Sequence, residues 1–227
     1  MEEKEKNEVK YEIFYQDKVY KAPFEYNTPV THELDQLQDK DLTLADLHEI
    51  TLWKIDRYPQ ISQEILDELN KLHKSDNFDE QATRNILGAM LRAHGISLAM
   101  ASTYLRFTNP KVFPIIDTRA LRAAFDYKVV AEKEKILLSY RNSDSIYSRQ
   151  IDLYIDYVAK LNEIAKNGYH GLFIKFEDLD RFLYEIDSEA GFKLEDKEPF
   201  DPNKFEKWKE LIENWKVKIK NEGVETK

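Results

Sequence analysis

The sequence predicts a mainly α fold with a short N-terminal β-hairpin, and three observations lead there. Apolar residues recur at helical spacing along much of the chain. Ser, Thr or Asp stands before several of these stretches, where a helix needs a cap. One segment, Tyr11 to Tyr20, has instead the aromatic and β-branched content of paired strands. All 227 residues are expected to form a single globular unit, long enough to bury a sizeable core.

The elements follow in order. YEIFYQDKVY flanks a polar Gln16-Asp17-Lys18 centre, so a hairpin is expected within residues 10–26, packing against helices rather than forming a domain. Thr43 is placed to cap a helix with Leu44, Leu47, Ile50, Leu52 and Trp53 inside, ending near Tyr58-Pro59. Ser62 is placed to cap a second, with Ile65, Leu66, Leu69 and Leu72. Ser75 to Asn77 punctuate, and Asp79 starts a third with Ala82, Ile86, Leu87, Met90 and Leu91 on one stripe. Arg92 to Ile96 read as a turn in which Gly95 supplies a positive φ, and Ser97 caps the next helix, carrying Leu98, Ala101, Tyr104 and Leu105. Asn109 and Pro110 stop that helix, an extended apolar run ends at Ile116, and Asp117 stands at the N-cap of a helix beginning at Thr118.

After a polar break at Ser143 to Ser145, Ile151, Tyr154, Ile155, Val158 and Leu161 describe a long amphipathic helix ending near Asn167-Gly168. Gly171 to Phe176 then leads into a helix with Leu179, Phe182, Leu183 and Ile186. Residues 195–203 form a polar connector to a last helix carrying Phe205, Trp208, Ile212, Trp215 and Ile219, which docks on the body or binds a partner.

Composition bounds the function. With 42% hydrophobic and 34% charged residues and no Cys, the chain reads as a soluble protein without a disulfide framework or a thiolate iron-sulfur cluster. The start MEEKEKNEVK is charged rather than signal-like and no apolar run reaches membrane length, so an intracellular, cytoplasmic setting is expected. His32, His48, His73, His94 and His170 lack the spacing of a zinc site, and no Walker loop, dinucleotide fingerprint or nucleophile elbow is present. A net charge of −9 opposes nucleic acid on average. Residues 81–150, however, hold 11 Lys and Arg against 5 Asp and Glu, so that segment is locally basic.

The order Leu91, Gly95, Ala99, then Phe113-Pro114-Ile115-Ile116-Asp117-Thr118 with Arg122 following, resembles the helix-hairpin-helix DNA glycosylase superfamily, which includes endonuclease III, adenine DNA glycosylase and the alkylbase glycosylases. The resemblance covers residues 80–125 and implies a two-lobed helical fold, double-stranded DNA with one base flipped out as the partner, and Asp117 as the catalytic carboxylate. Gly95 falls on the second hairpin glycine and Ala99 on the motif alanine. The chain departs from the pattern at Arg92, where proline is usual, at Ala93 for the first glycine, and at His94 for the hydrophobic residue.

Ser97 occupies the position of the lysine used by bifunctional members. A serine hydroxyl has no nitrogen with which to form an imine at the sugar C1′, so the resemblance implies base removal without lysine-dependent strand cleavage, with water as nucleophile and no cofactor. Asp117 would stabilise the oxocarbenium-like charge on the sugar. DNA contacts are expected from Arg92, His94, Gly95, Ile96, Ser97, Arg119 and Arg122, with Arg106 and Lys111 as further phosphate candidates. Trp53, Tyr104 and Phe113, with Phe107, are candidates for a base pocket. The alternative is a non-catalytic helical module that keeps this fold for binding DNA or protein, in which Asp117 is a helix cap and the aromatics are core.

Overall fold

The computed structural model describes residues 12–15, 18–21, 34–54, 59, 61–73, 75–125, 127–139, 143–189, 209–214 and 216–217. The protein is mainly helical. Among the described residues its complete helices are α1 (Leu44–Lys54), α2 (Gln63–His73), α3 (Glu80–Arg92), α4 (Leu98–Thr108), α5 (Thr118–Ala124), α6 (Tyr127–Leu137), α7 (Asp144–Asn167) and α8 (Phe176–Glu189), with a 3-10 turn at Gln36–Asp39 and further helical residues at 209–214 and 216–217. Strands β1 (Glu12–Tyr15) and β2 (Lys18–Lys21) pair antiparallel, Ile13 opposite Tyr20. β3 (Phe173–Ile174) joins β1 on its other side, giving the order β2-β1-β3 and placing Ile174 opposite Ile13. Among the described residues no helix is long and apolar enough to cross a membrane.

Local chemistry explains where the helices begin and end. At α1, Thr43 N donates to Asp46 Oδ2 at 2.8 Å while Asp46 N donates to Thr43 Oγ1 at 3.3 Å, a reciprocal box that satisfies two otherwise orphaned donors. Ser62 Oγ accepts from Ile65 N at the head of α2, and Asp79 Oδ1 from Ala82 N at the head of α3. Helix α7 stops at Gly168, whose φ is +81°. A Cβ there would also come within 3.2 Å of Phe173 Cζ, so both backbone and space call for glycine.

Helix α4 is the centre of the molecule. Leu98 and all of Met100 to Thr108 are buried, so the stripe expected from its apolar residues extends around the whole helix. It is enclosed by α1, α2 and α3. Its hydroxyls fold onto carbonyls one turn back, Thr103 Oγ1 to Ala99 O and Thr108 Oγ1 to Tyr104 O, both at 2.8 Å, which lets a polar helix surface be buried.

Two expectations are corrected, and one unassigned stretch is filled. Leu44 is 45% exposed, on the outward side of the first turn of α1, while Leu47 is buried. Helix α6, with Val130 and Leu137 buried, fills a stretch that the sequence pattern left unassigned. Arg106, expected to reach phosphate, is only 3% exposed: its Nη2 donates to Glu177 O at 2.8 Å and its head faces Asp180 at 3.6 Å and Asp35 at 3.8 Å. The expected end of α1 near Tyr58, the connector at 195–203, and Phe205, Trp208, Trp215 and Ile219 lie outside the described residues; Ile212 is buried.

Two buried ionic groups lock α8 to the body. Arg181 makes a two-pronged contact with Asp35 at 2.9 and 2.6 Å. Arg122 of α5 grips Asp187 of α8 at 3.0 and 2.6 Å and reaches Glu134 of α6 at 3.0 Å. Removing one member of such a pair strands the other charge in the interior. Asp187→Ala is therefore expected to lower the unfolding free energy by about 3–5 kcal/mol in urea titrations. Asp152→Ala, which breaks the exposed pair with Arg84, should cost no more than about 1 kcal/mol.

Candidate active site

The segment joining α4 to α5 turns over Pro110 to Val112 and then runs buried to Ile116 outside any helix or strand, so its backbone must find partners outside any ladder. Four side chains supply them. Ile115 N donates to Asp180 Oδ2 at 2.7 Å and Ile116 N to Ser102 Oγ at 3.1 Å. Tyr154 Oη donates to Pro114 O at 3.0 Å and Tyr157 Oη to Ile115 O at 3.1 Å. At the upstream end, Asn109 Nδ2 donates to Leu72 O and Ser75 O, tying the segment to the end of α2. Asp117 is delivered at the downstream end.

Asp117 has extended backbone angles, φ −137° and ψ 175°, and its Oδ1 accepts from Ala120 N at 2.8 Å as the N-cap of α5. The residue keeps part of its surface open. Burial of the carboxylate raises its pKa above the ordinary aspartate value, and Asp180 adds to this. Lys54, at the end of α1, and the N–H groups of Ala120 and Arg119 oppose the rise. Tyr184 of α8 and Tyr157 of α7 also lie within the field of this carboxylate.

The turn between α3 and α4 has the expected backbone. Ala93 N closes on Met90 O at 3.0 Å, Gly95 has φ +84°, and Ser97 Oγ accepts from Met100 N at 3.4 Å as the cap of α4. Ile96 is buried and His94 exposed. Arg92, more than half exposed, donates to Gly88 O at 2.9 Å, pairs with Asp144 at 2.7 Å and lies 5.7 Å from the Tyr147 ring centre.

The other expected site residues divide by depth. Tyr104 is wholly buried with its hydroxyl 2.5 Å from Thr51 Oγ1; Phe113 is wholly buried edge-on to Phe78, and Phe107 is equally enclosed. These rings are part of the buried core rather than an open pocket wall. Trp53 belongs to α1, but its side chain lies outside the described residues. Arg122 is committed to Asp187 and Glu134. Arg119 is less engaged: Nη1 is 3.5 Å from Asp187, the guanidinium lies 5.5 Å from the Tyr184 ring centre, and Nε is buried without a hydrogen bond. Lys111 is exposed.

Sequence reasoning missed Lys54, Asp180 and Tyr184. Lys54 is 63 positions from Asp117 and no motif links them. Asp180 carried a usable signal, an acid beside Leu179 on the apolar stripe of its helix. A cavity of about 310 Å³ lined by Phe125, Lys160, Asn167 and His170 lies at the other end of α5, roughly 10 Å along the axis from Asp117. Among the described residues no cluster of three or more His, Cys, Asp or Glu is placed to hold a metal ion. The chain matches no protein-family model, no curated protein and no solved structure.

Close to this site, Asp178 is pushed up to about 6, chiefly by burial, with Arg106 and Arg181 opposing the rise. A carboxyl whose folded pKa is raised contributes stability below its unfolded pKa and loses it as pH climbs through the folded value. Relative to Asp178→Asn, the wild-type protein is therefore expected to lose unfolding free energy between about pH 4 and pH 6 and then level off, as read by denaturant titrations across that range.

Proposed function

We propose that this protein is a DNA N-glycosylase that removes a flipped, damaged or mismatched base without cutting the strand. The observation that carries the reading is Asp117: a desolvated carboxylate, on a residue of intermediate exposure, at the end of a braced segment and the head of a helix. A charge held in that way by fixed dipoles stabilises developing positive charge better than one in water, because its surroundings are already oriented. As the glycosidic bond breaks, its electrons leave with the base and positive charge builds on the sugar. Asp117 faces that charge and orients the water that adds to C1′.

The positive φ of Gly95 and the cap at Ser97 support the hairpin half of the reading, since a turn of this form presents backbone N–H groups to a phosphate. Arg119 is the cation nearest the carboxylate in sequence and the one with least internal engagement among the expected arginines. A two-lobed glycosylase-like arrangement, an intracellular setting and cofactor-free hydrolysis belong to the same proposal. The second reading, a non-catalytic binding module, is favoured by the engagement of Arg92 and Arg122 in ion pairs within the chain and by the net charge of −9.

Incubation with duplexes carrying a panel of damaged and mismatched bases separates the two. Base release is expected from the wild type, and Asp117→Asn should reduce it by on the order of 10²–10³ or more while folding and DNA binding persist, because Asn caps a helix as well as Asp does. Binding without release from any duplex would instead establish the module. With Ser97 in the lysine position, borohydride treatment during turnover is expected to trap no covalent protein-DNA adduct. A robust adduct would overturn the water-nucleophile mechanism.

A further inference from the structure

Helix α5 and the segment before it run alongside α8 in step. Ile115 N donates to Asp180 Oδ2 at 2.7 Å, the Arg119 guanidinium lies over the Tyr184 ring, 5.5 Å from its centre, and Arg122 grips Asp187 at 2.6 and 3.0 Å. Residues 180, 184 and 187 follow one another at single-turn spacing on one face of α8. Asp117 falls midway between Ile115 and Arg119, so it lies along the turn of α8 that leads from Asp180 to Tyr184. A contact on each side thus fixes Tyr184 beside it.

Exposure picks out the same place. Ile115, Ile116, Ala120, Phe182 and Leu183 are buried, whereas Asp117, Thr118, Arg119 and Tyr184 each keep part of their surface open. Tyr104, Phe107 and Phe113 are sealed in the core, and so is Tyr157, whose hydroxyl is spent on Ile115 O. Tyr184 is held differently. Arg119 covers one side of its ring, a contact that fixes the ring's direction, and Asp187 lies 3.5 Å from the same guanidinium. Burial raises the Tyr184 hydroxyl above its ordinary pKa, with Arg119 opposing, so the ring is a neutral phenol at physiological pH.

We propose that Tyr184, held by Arg119, is the aromatic wall of the Asp117 site, and that a flipped nucleobase stacks on its open surface. The base is bonded to the sugar carbon whose charge Asp117 stabilises, so the surface that receives it must lie within about one helical turn of the carboxylate. Every nucleobase has a π face, and an aromatic side chain binds that face without reading the base edge. Tyr184 therefore retains the extruded base rather than choosing among bases. A nucleobase is the expected guest because of the glycosylase reading; the position of the ring is independent of it.

The wall can be tested without turnover. Protein labelled with ¹³C on its tyrosine rings, with Tyr184 assigned through Tyr184→Phe, is mixed with a duplex carrying a tetrahydrofuran abasic site and then titrated with free adenine, hypoxanthine or uracil to refill the space of the missing base. At least one base should move the Tyr184 ring signals upfield and saturably. By saturation transfer to the base protons, Tyr184→Leu should weaken its binding roughly 5- to 150-fold, and Tyr184→Phe should bind nearly as the wild type does. Tyr184 signals that no base moves would overturn the proposal, and this readout needs no folded leucine variant. Equal binding by Tyr184→Leu would overturn it too. On any duplex that releases a base, the single-turnover rate at saturating DNA should fall in Tyr184→Leu and not in Tyr184→Phe. Release from Tyr184→Leu at the wild-type rate removes the wall and leaves the glycosylase reading standing; a Tyr184 shift without release from any duplex sinks that reading and leaves the wall.

Discussion

The short bond from Ile115 N to Asp180 Oδ2 is the constraint on which the arrangement around Asp117 depends. A backbone N–H removed from water and left unpaired is costly, and among the described residues the run from Phe113 to Ile116 has no strand paired with it. Asp180 answers that need, and in doing so brings a charge into the interior. The charge in turn explains Arg106, which is buried within 3.6 Å of it, and Arg106 explains the acids and the carbonyl gathered at the start of α8. One unsatisfied peptide group thereby accounts for a chain of polar burial that would otherwise look like misplaced surface residues.

The same constraint shapes electrostatics at the site. Burial and the arginine neighbour Arg181 push the Arg106 pKa below its ordinary value, while Asp180, Asp35 and Asp178 hold it up. Tyr154 and Tyr157, pinned to carbonyls of the segment, are driven well above the usual tyrosine value by burial and by Asp180. Both therefore act as hydrogen-bond donors of fixed direction. Asp117 sits at the margin of this network, receiving the field of Asp180 while its own bonds run to the amides at the head of α5.

Much of this fold was legible in the sequence because its signals were local. Asp79, Ser97 and Asp117 each stood at a helix head, and each accepts from the amide three residues on. Gly95 was called by the turn geometry it has. The periodic stripes of α2 and α8 were read correctly because one face of each helix is buried, whereas α4 misled: a helix enclosed on all sides shows the same apolar positions plus buried polar ones that periodicity assigns to solvent. Arg106 was misplaced for that reason. Lys54 and Tyr184 were beyond reach because their relation to Asp117 exists only through α1 and α8 docking on α4 and α5, and single-chain pattern carries no distance between helices.

The bracing of the segment also sets the order in which the chain can acquire its site. The motif that drew attention is contiguous, from Leu91 to Phe125, but the bonds that hold it reach 40 residues to Tyr154, 42 to Tyr157 and 65 to Asp180. Closing loops of that length costs conformational entropy before any of those bonds forms. The carboxylate at 117 is thus written early in the chain and aimed late, only when α8 has been made and has docked. A nascent or truncated chain ending before α8 would carry the whole motif without the Asp180 bond that completes its bracing.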